Sequence, residues 1–367
     1  MSLPYSINPT LESLPVYQPG RPIEEVAREL GMEFDDVIKL ASNENPLGPS
    51  PKAIAAMEKA IRQVHIYPDG NAFYLKNKLA DKLGVEPENL ILGNGSNEII
   101  EFIGHAVMEP GADIVVSAYC FAIYPIMAKM LGANVITVPD KDYGHDLPAM
   151  LKAITPQTRA IFVANPNNPT GTLARRDAVI QLANEIPDEV LLVMDEAYIE
   201  FLSHPVDFLP LVRREDKPNL ILMRTFSKIF GLAGLRIGYG IGHPELIASL
   251  EKIRQPFNAN LVAQAGALAA LGDNDHLANT RSNNEAGLNF LQTNFQKLGL
   301  EYIPSSANFV VVNVGDGNGV FQKLQAKGVI TRPMAGYKMP EWIRVSVGTP
   351  EENTRFLKAL KEIVRSD

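Results

Sequence analysis

Between residues 113 and 223 two kinds of segment alternate, and this limits the folds open to the chain more than any other feature of its sequence. Short β-branched runs fall at 113–116, 134–138, 159–163, 190–194 and 219–223. Several are apolar without a break, the pattern of strands buried on both faces. Helix-like stretches, 175–185 among them, lie between several of these runs. Strand and helix in alternation predict a mostly parallel sheet covered by helices. At 367 residues the chain also exceeds what one hydrophobic core usually serves, so two domains are expected.

The flanks read differently. The first fifty or so residues are rich in proline and turn formers. A helix then starts at Ser50, a good N-cap, with Pro51 at its first position. Ile54, Met57, Ile61 and Val64 follow at helical spacing and predict one apolar face. A second helix carries Leu75, Leu79 and Leu83 and stops at Gly84. Beyond about residue 243 the chain turns helical, and Leu288, Leu291, Phe295 and Leu298 mark a long amphipathic helix. A strand at 308–314, a helix near 320–327 and a strand around 342–347 follow. Thr349-Pro350-Glu351-Glu352 then opens a final helix with a capping box. This tail reads as a separate, smaller α+β unit packed closely on the rest.

Bulk properties narrow the function classes. A net charge of -8 argues against a general affinity for nucleic acid or anionic membrane. The single cysteine, Cys120, allows no disulfide within the chain, which suits a reducing compartment. Met1-Ser2-Leu3-Pro4-Tyr5 shows no basic, then apolar, secretory pattern, and no apolar stretch approaches the ~20 residues of a membrane helix. A cytoplasmic protein is expected. The six histidines are scattered without zinc-site spacing, so no metal is expected.

The chemistry gathers at strand ends. In open parallel sheets, ligands bind beyond the carboxyl ends of the strands. Here three successive strands run into Asn165-Pro166-Asn167-Asn168-Pro169-Thr170-Gly171, into Asp195-Glu196-Ala197-Tyr198 and into Arg224-Thr225-Phe226-Ser227-Lys228. An amide, a carboxylate, a phenol and an amine thus converge on one rim. Pyridoxal 5'-phosphate needs such a set: an amine for its aldehyde, a carboxylate for its ring nitrogen, and polar groups beside its ring hydroxyl. Its phosphate wants amides at a helix start, hydroxyls and an arginine. Gly95-Ser96-Asn97 precedes the apolar run 99–107 and offers the helix start. Thr225, Ser227 and Arg236 flank or follow the lysine. Singly, each motif has a bland reading as a turn, a solvated loop or a surface pair. Together, in this order, they do not.

These residues resemble the aspartate-aminotransferase-like, fold type I superfamily. Ser227-Lys228 with Gly234-Leu235-Arg236-Ile237-Gly238-Tyr239 is similar to its cofactor-lysine signature, and the Asn168 and Asp195 motifs are its companions. The resemblance implies a large domain with a mostly parallel seven-stranded sheet over residues 51–280. It implies a small domain from 1–50 and 281–367. It makes Lys228 the Schiff-base lysine and proton shuttle, and Asp195 the partner of the pyridinium. Asn168 and Tyr198 address the ring hydroxyl. Ser96, Asn97, Thr225, Ser227 and Arg236 hold the phosphate. Tyr124 matches the aromatic that stacks on the ring. Tyr67 matches a tyrosine that reaches a neighbouring subunit's phosphate, which implies a homodimer.

Within the superfamily the chain resembles the histidinol-phosphate aminotransferases. The segment from Leu40 through Asn43 to Pro51 looks like that family's opening, as does Tyr17-Gln18-Pro19-Gly20. So do Val329-Ile330-Thr331-Arg332-Pro333-Met334 and Trp342-Ile343-Arg344-Val345-Ser346. Histidinol phosphate carries a phosphate where glutamate carries a carboxylate, and arginine binds either bidentately. The resemblance therefore implies a substrate site of Arg332, Arg344, Tyr17, Asn43 and Asn168. It implies exchange of an amino group between histidinol phosphate and 2-oxoglutarate in histidine biosynthesis. An aromatic amino-acid aminotransferase is the nearest alternative, separable by the preferred donor. A phosphothreonine-type decarboxylase would need no oxo-acid acceptor. A non-catalytic regulator would add a DNA-binding region, and the segment before the first clear helix has no basic patch.

Overall fold

The computed structural model describes residues 9–16 and 19–364. Thirteen strands are described: β1 (Ile38–Lys39), β2 (Leu90–Gly93), β3 (Asp113–Ser117), β4 (Asn134–Val138), β5 (Thr158–Ala164), β6 (Leu191–Asp195), β7 (Leu220–Thr225), β8 (Gly238–Gly242), β9 (Tyr302–Ile303), β10 (Phe309–Asn313), β11 (Val329–Ile330), β12 (Arg332–Pro333) and β13 (Trp342–Ser346). Seven form one sheet in the order β2-β8-β7-β6-β5-β3-β4. The neighbours from β7 to β4 pair parallel, whereas β8 runs antiparallel to both β7 and β2.

Side-chain alternation explains why the central strands are apolar throughout. In β5, Ile161 and Val163 join the core on one face while Ala160 and Phe162 join the core on the other. In β6, Leu192 and Met194 face one way and Leu191 and Val193 the other. Both faces are covered by helices, so no polar position survives until the strand ends.

The glycine-rich β8 was not expected as a strand, because glycine is depleted from strands and weakens them. Its glycines serve close approach. A Cβ on Gly238 would stand 2.6 Å from the Ser96 amide nitrogen, so glycine lets β8 lie against the start of the Ser96–Val107 helix.

The expected helix after Ser50 is present as Pro51–Ala60, and Ser50 Oγ accepts from the Ala53 amide at 3.1 Å. Its apolar face needs correction. Met57 packs on the core, but Ile54 is 41% exposed and Ile61 and Val64 are each 60% exposed. Ala53 and Ala60 are the buried positions. The periodicity is helical, but the expected stripe largely faces away from the chain's own core.

The smaller unit holds the antiparallel sheet β12-β13-β10-β9 and a parallel pair, β1 with β11. Val310, Val312, Ile343 and Val345 pack against Phe295 and Phe356 of the Asn274–Lys297 and Pro350–Val364 helices. The last helix opens as the sequence predicts: Glu352 accepts from the Thr349 amide at 2.7 Å, and Thr349 Oγ1 accepts from the Glu352 amide at 3.3 Å. The other face of this sheet carries Phe309, Val311 and Trp342, which pack with Tyr198 from the large sheet's rim. A period of two therefore turns Arg344 and Ser346 toward that rim.

Candidate active site

β5, β6 and β7 lie side by side and parallel, with Ala164 opposite Asp195 and Asp195 opposite Met223. Their loops leave from one edge of the sheet. A cavity of about 350 Å³ sits there, lined by Asn168, Asp195, Tyr198, Thr225, Ser227 and Lys228. Ser96 and Asn97 close one end and Arg332 and Arg344 the other.

The floor is polar and buried. Asp195 is buried; its Oδ2 accepts from the Tyr124 hydroxyl at 2.6 Å and its Oδ1 from the Ala197 amide at 3.0 Å. Burial pushes this carboxyl above its ordinary range, while the two donors and the nearby Lys228 charge work to keep it ionised. Lys228 donates from Nζ to the Ser42 carbonyl at 3.2 Å. Burial, with the Arg344 guanidinium next in weight, pulls its ammonium down to about 8. Burial likewise raises the Tyr198 phenol, whose oxygen accepts from Asn43 Nδ2 at 2.9 Å. Asn43 stands at φ 55° and is held by Ser346, which accepts from the Asn43 amide at 2.8 Å. The small unit thus reaches the phenol through two side chains.

One end is built for an anion. The Ser96–Val107 helix begins after Gly95 at φ 80°, so its first amides face the cavity with the positive end of the helix dipole. Thr225 Oγ1 donates to Ser227 Oγ at 3.0 Å, and Arg236 Nη1 donates to the same oxygen at 3.3 Å. A Cβ on Gly95 would collide with Arg236 Nη2, so glycine lets the guanidinium lie over the helix start.

The other end holds a second cationic pair. Arg332 and Arg344 stand directly opposite each other in the β12–β13 ladder. Like charges opposite each other in a sheet repel, and an anion between them relieves the repulsion. Arg344 donates to Asn168 Oδ1 at 2.7 Å and to the Ala41 carbonyl at 3.0 Å, and lies over the Phe309 ring at 5.0 Å. These contacts fix the guanidinium plane with respect to the rim of the large sheet.

Most expected site residues therefore meet in one cavity: Asn43, Ser96, Asn97, Asn168, Asp195, Tyr198, Thr225, Ser227, Lys228, Arg236, Arg332 and Arg344 all line it. Tyr124 does not. Its ring is fully buried beneath the cavity, stacked on Phe162 with centroids 4.7 Å apart, and its hydroxyl goes to Asp195. Phe121, three residues earlier on the chain, does line the cavity, together with Tyr198 and Tyr337. The difference has a local cause: Phe121 precedes the Ile123–Met130 helix, whereas Tyr124 lies in its first turn with its ring packed into the core. Tyr67 lies outside the cavity, 79% exposed, stacked on Phe257 at 4.7 Å. Tyr17 lies outside the described residues.

Sequence reasoning also missed Ser42 and Ser346. Ser42 acts through its backbone carbonyl, which no side-chain pattern reveals. Ser346 is an ordinary serine by type, although alternation from Arg344 puts it on the same face. Among the described residues no group of acidic, histidine or cysteine side chains is arranged to hold a metal ion, and no helix is long and apolar enough to cross a membrane.

The family of class I and II aminotransferases matches residues 35–360. A histidinol-phosphate aminotransferase of Akkermansia muciniphila is 48% identical over 365 residues, covering 99% of this chain and 100% of the relative. The crystal structure of histidinol-phosphate aminotransferase from Sinorhizobium meliloti in complex with pyridoxal-5'-phosphate superposes with a TM-score of 0.87 at 32% identity, covering 98% of each chain. Aspartate aminotransferase from Thermus thermophilus with maleate shares the fold, with a TM-score of 0.82 at 24% identity over 98% of this chain and 99% of that one.

Proposed function

The chain belongs to the class I and II aminotransferases, and from that premise we propose that it is a histidinol-phosphate aminotransferase. It would exchange an amino group between L-histidinol phosphate and 2-oxoglutarate, with pyridoxal 5'-phosphate held at Lys228. The observation that carries the substrate reading is the register of β12 and β13, which puts Arg332 and Arg344 side by side on the Lys228 cavity. A paired guanidinium site accepts both the phosphate of histidinol phosphate and the side-chain or α-carboxylate of glutamate.

The donor set fits the cofactor. A helix start, two hydroxyls and an arginine suit a phosphate at one end, and a buried carboxylate lies on the floor. When bound, the cofactor supplies an aldehyde that captures amines and a cationic ring that accepts electrons. The chain's own residues do the rest. Lys228 holds the cofactor, and once displaced by the substrate amine its Nζ moves the proton at the substrate's α-carbon. A pKa near 8 leaves that amine able both to accept and to return a proton near neutrality. Asp195 keeps the ring nitrogen charged. Tyr198 and Asn168 address the ring hydroxyl, and Phe121 takes the place against the ring face first expected of Tyr124. Ser96, Asn97, Thr225, Ser227 and Arg236 hold the phosphate. Arg332 and Arg344, with Asn43, Asn168 and Tyr17, receive the substrate.

The proposal extends to organisation. The seven-stranded sheet falls within residues 51–280, and the four-stranded sheet within 281–367, which supports the division into a cofactor domain and a small domain built with residues 1–50. The active unit is a homodimer. Ile61, Val64, Ile66, Tyr67, Phe73 and Tyr74 form an apolar stretch exposed by 60% or more, which a second copy would cover. Sedimentation at micromolar concentration should show two chains; a single-chain species with full activity contradicts it. The setting is cytoplasmic histidine biosynthesis.

The reading predicts the amino donor. With 2-oxoglutarate as acceptor, histidinol phosphate should exceed phenylalanine in kcat/KM by roughly 100-fold, since its phosphate reaches further from the α-carbon and offers more oxygens than phenylalanine's α-carboxylate, and one additional charge-assisted contact contributes about 1.5–3 kcal/mol. A wide margin in favour of phenylalanine would make the chain an aromatic amino-acid aminotransferase instead.

A further inference from the structure

Asp195 presents a physical problem that the site's obvious residues leave open. It is 6% exposed, and burial drives a carboxyl toward its neutral form. A neutral acid cannot hold positive charge on a pyridine ring. Among the described residues the groups that face it are few. Ala197 donates a backbone amide to Oδ1 at 3.0 Å. Lys228 and Tyr198 stand across the cavity from it without a hydrogen bond, and the adjacent Glu196 turns away to pair with Arg224 at 2.8 Å. The one side chain that donates to Asp195 is Tyr124, at 2.6 Å to Oδ2.

Tyr124 is built to do nothing else. Its ring is 0% exposed, stacked on Phe162 at 4.7 Å and met edge-on by Phe121 at 5.7 Å. Two rings therefore fix the direction of its hydroxyl, which points up from the helix layer at the carboxylate. Burial and the facing carboxylate hold the phenol far above its ordinary range, so it stays a donor at any working pH. The neighbouring Cys120 thiol, pushed up to about 12 by burial, adds no charge.

We propose that Tyr124 is a positioning residue for amino transfer: its hydroxyl keeps the Asp195 carboxylate ionised and aimed, so that the cofactor's ring nitrogen retains its positive charge. This rests on the proposed function, which supplies the ring. A hydrogen bond to a charged group is worth enough to change a rate by roughly 10- to 100-fold. Because Tyr124 touches neither substrate nor cofactor, its loss should appear in kcat and leave KM nearly unchanged.

The test is Tyr124→Phe in the holoenzyme, which removes one oxygen and keeps the ring. The variant should bind the cofactor at Lys228 and lose roughly 10- to 100-fold in kcat. The ¹⁵N resonance of ring-labelled cofactor should move toward that of a neutral pyridine. Reconstitution with N-methylated pyridoxal phosphate, whose ring nitrogen carries a fixed charge, should bring variant and native protein to the same rate. In an Asp195→Ala background the tyrosine substitution should have no further effect on kcat. A native kcat in Tyr124→Phe, or a native ¹⁵N shift, overturns the proposal. So does a loss that persists with the N-methyl cofactor, which would assign Tyr124 to packing alone. If the unaltered protein itself neither carries the cofactor on Lys228 nor transfers amino groups, it is the functional reading that fails.

Discussion

Replacing Lys228 by alanine should lower transamination by about 10⁴-fold or more, the upper range for a positioned acid–base group. Among the described residues Lys228 is the only lysine lining the cavity. The arginines there carry no primary amine and cannot take its place. Borohydride reduction of the native holoprotein, followed by peptide mapping, should place the label on Lys228, and the variant should take up none. The variant should still bind cofactor weakly, because Ser96, Asn97, Ser227 and Arg236 are untouched. The same amine predicts a pH dependence. Its pKa is lowered to about 8, so the neutral, nucleophilic form is reached at a lower pH than for an ordinary lysine. Cofactor capture by the apoprotein should quicken about tenfold between roughly pH 7 and pH 9 and level off above, as the free-amine fraction does. Near-normal turnover in Lys228→Ala, or the label on another lysine, would remove the basis of the functional reading.

What the sequence made legible follows from how strongly burial constrains it. The central strands were visible because both of their faces are buried, so Ile161 and Phe162 are apolar although they point in opposite directions. β8 was hidden because close approach to the Ser96–Val107 helix demands glycine, the residue that otherwise argues against a strand. The helix Pro51–Ala60 and the turn that follows it show the converse limit: periodicity tells that Ile54 and Ile61 share a side, not what covers it. In the site, side chains at strand ends could be read from order and type. The choice between Phe121 and Tyr124 could not, since it turns on where the Ile123–Met130 helix begins: Phe121 precedes it and Tyr124 lies inside its first turn. Arg332 and Arg344 were expected to act together, but only the β12–β13 register puts them opposite each other. Ser42 contributes a carbonyl, and every residue has one.

Asp195→Ala should separate binding from chemistry more sharply than any other substitution in the site. The carboxylate lies buried on the floor, so its charge acts at a lower effective dielectric than in water. Removing one partner of such a buried charge pair costs about 3–5 kcal/mol, and each 1.4 kcal/mol is tenfold in rate, so kcat should fall by roughly 10³-fold. The cofactor's phosphate contacts lie at the other end of the cavity, and Lys228 is intact, so the cofactor should remain attached and its dissociation constant should rise far less than kcat falls. KM for histidinol phosphate should change little, because Arg332 and Arg344 belong to the small sheet and do not touch Asp195. The alanine also strands the Tyr124 hydroxyl in an apolar layer, and the double variant with Tyr124→Phe should recover thermal stability without recovering rate. Equal losses in cofactor binding and in turnover would show that Asp195 merely supports the floor. A turnover within a few-fold of native would show that the ring needs no charge from below, and the chemistry argued for this cavity would have to be found elsewhere.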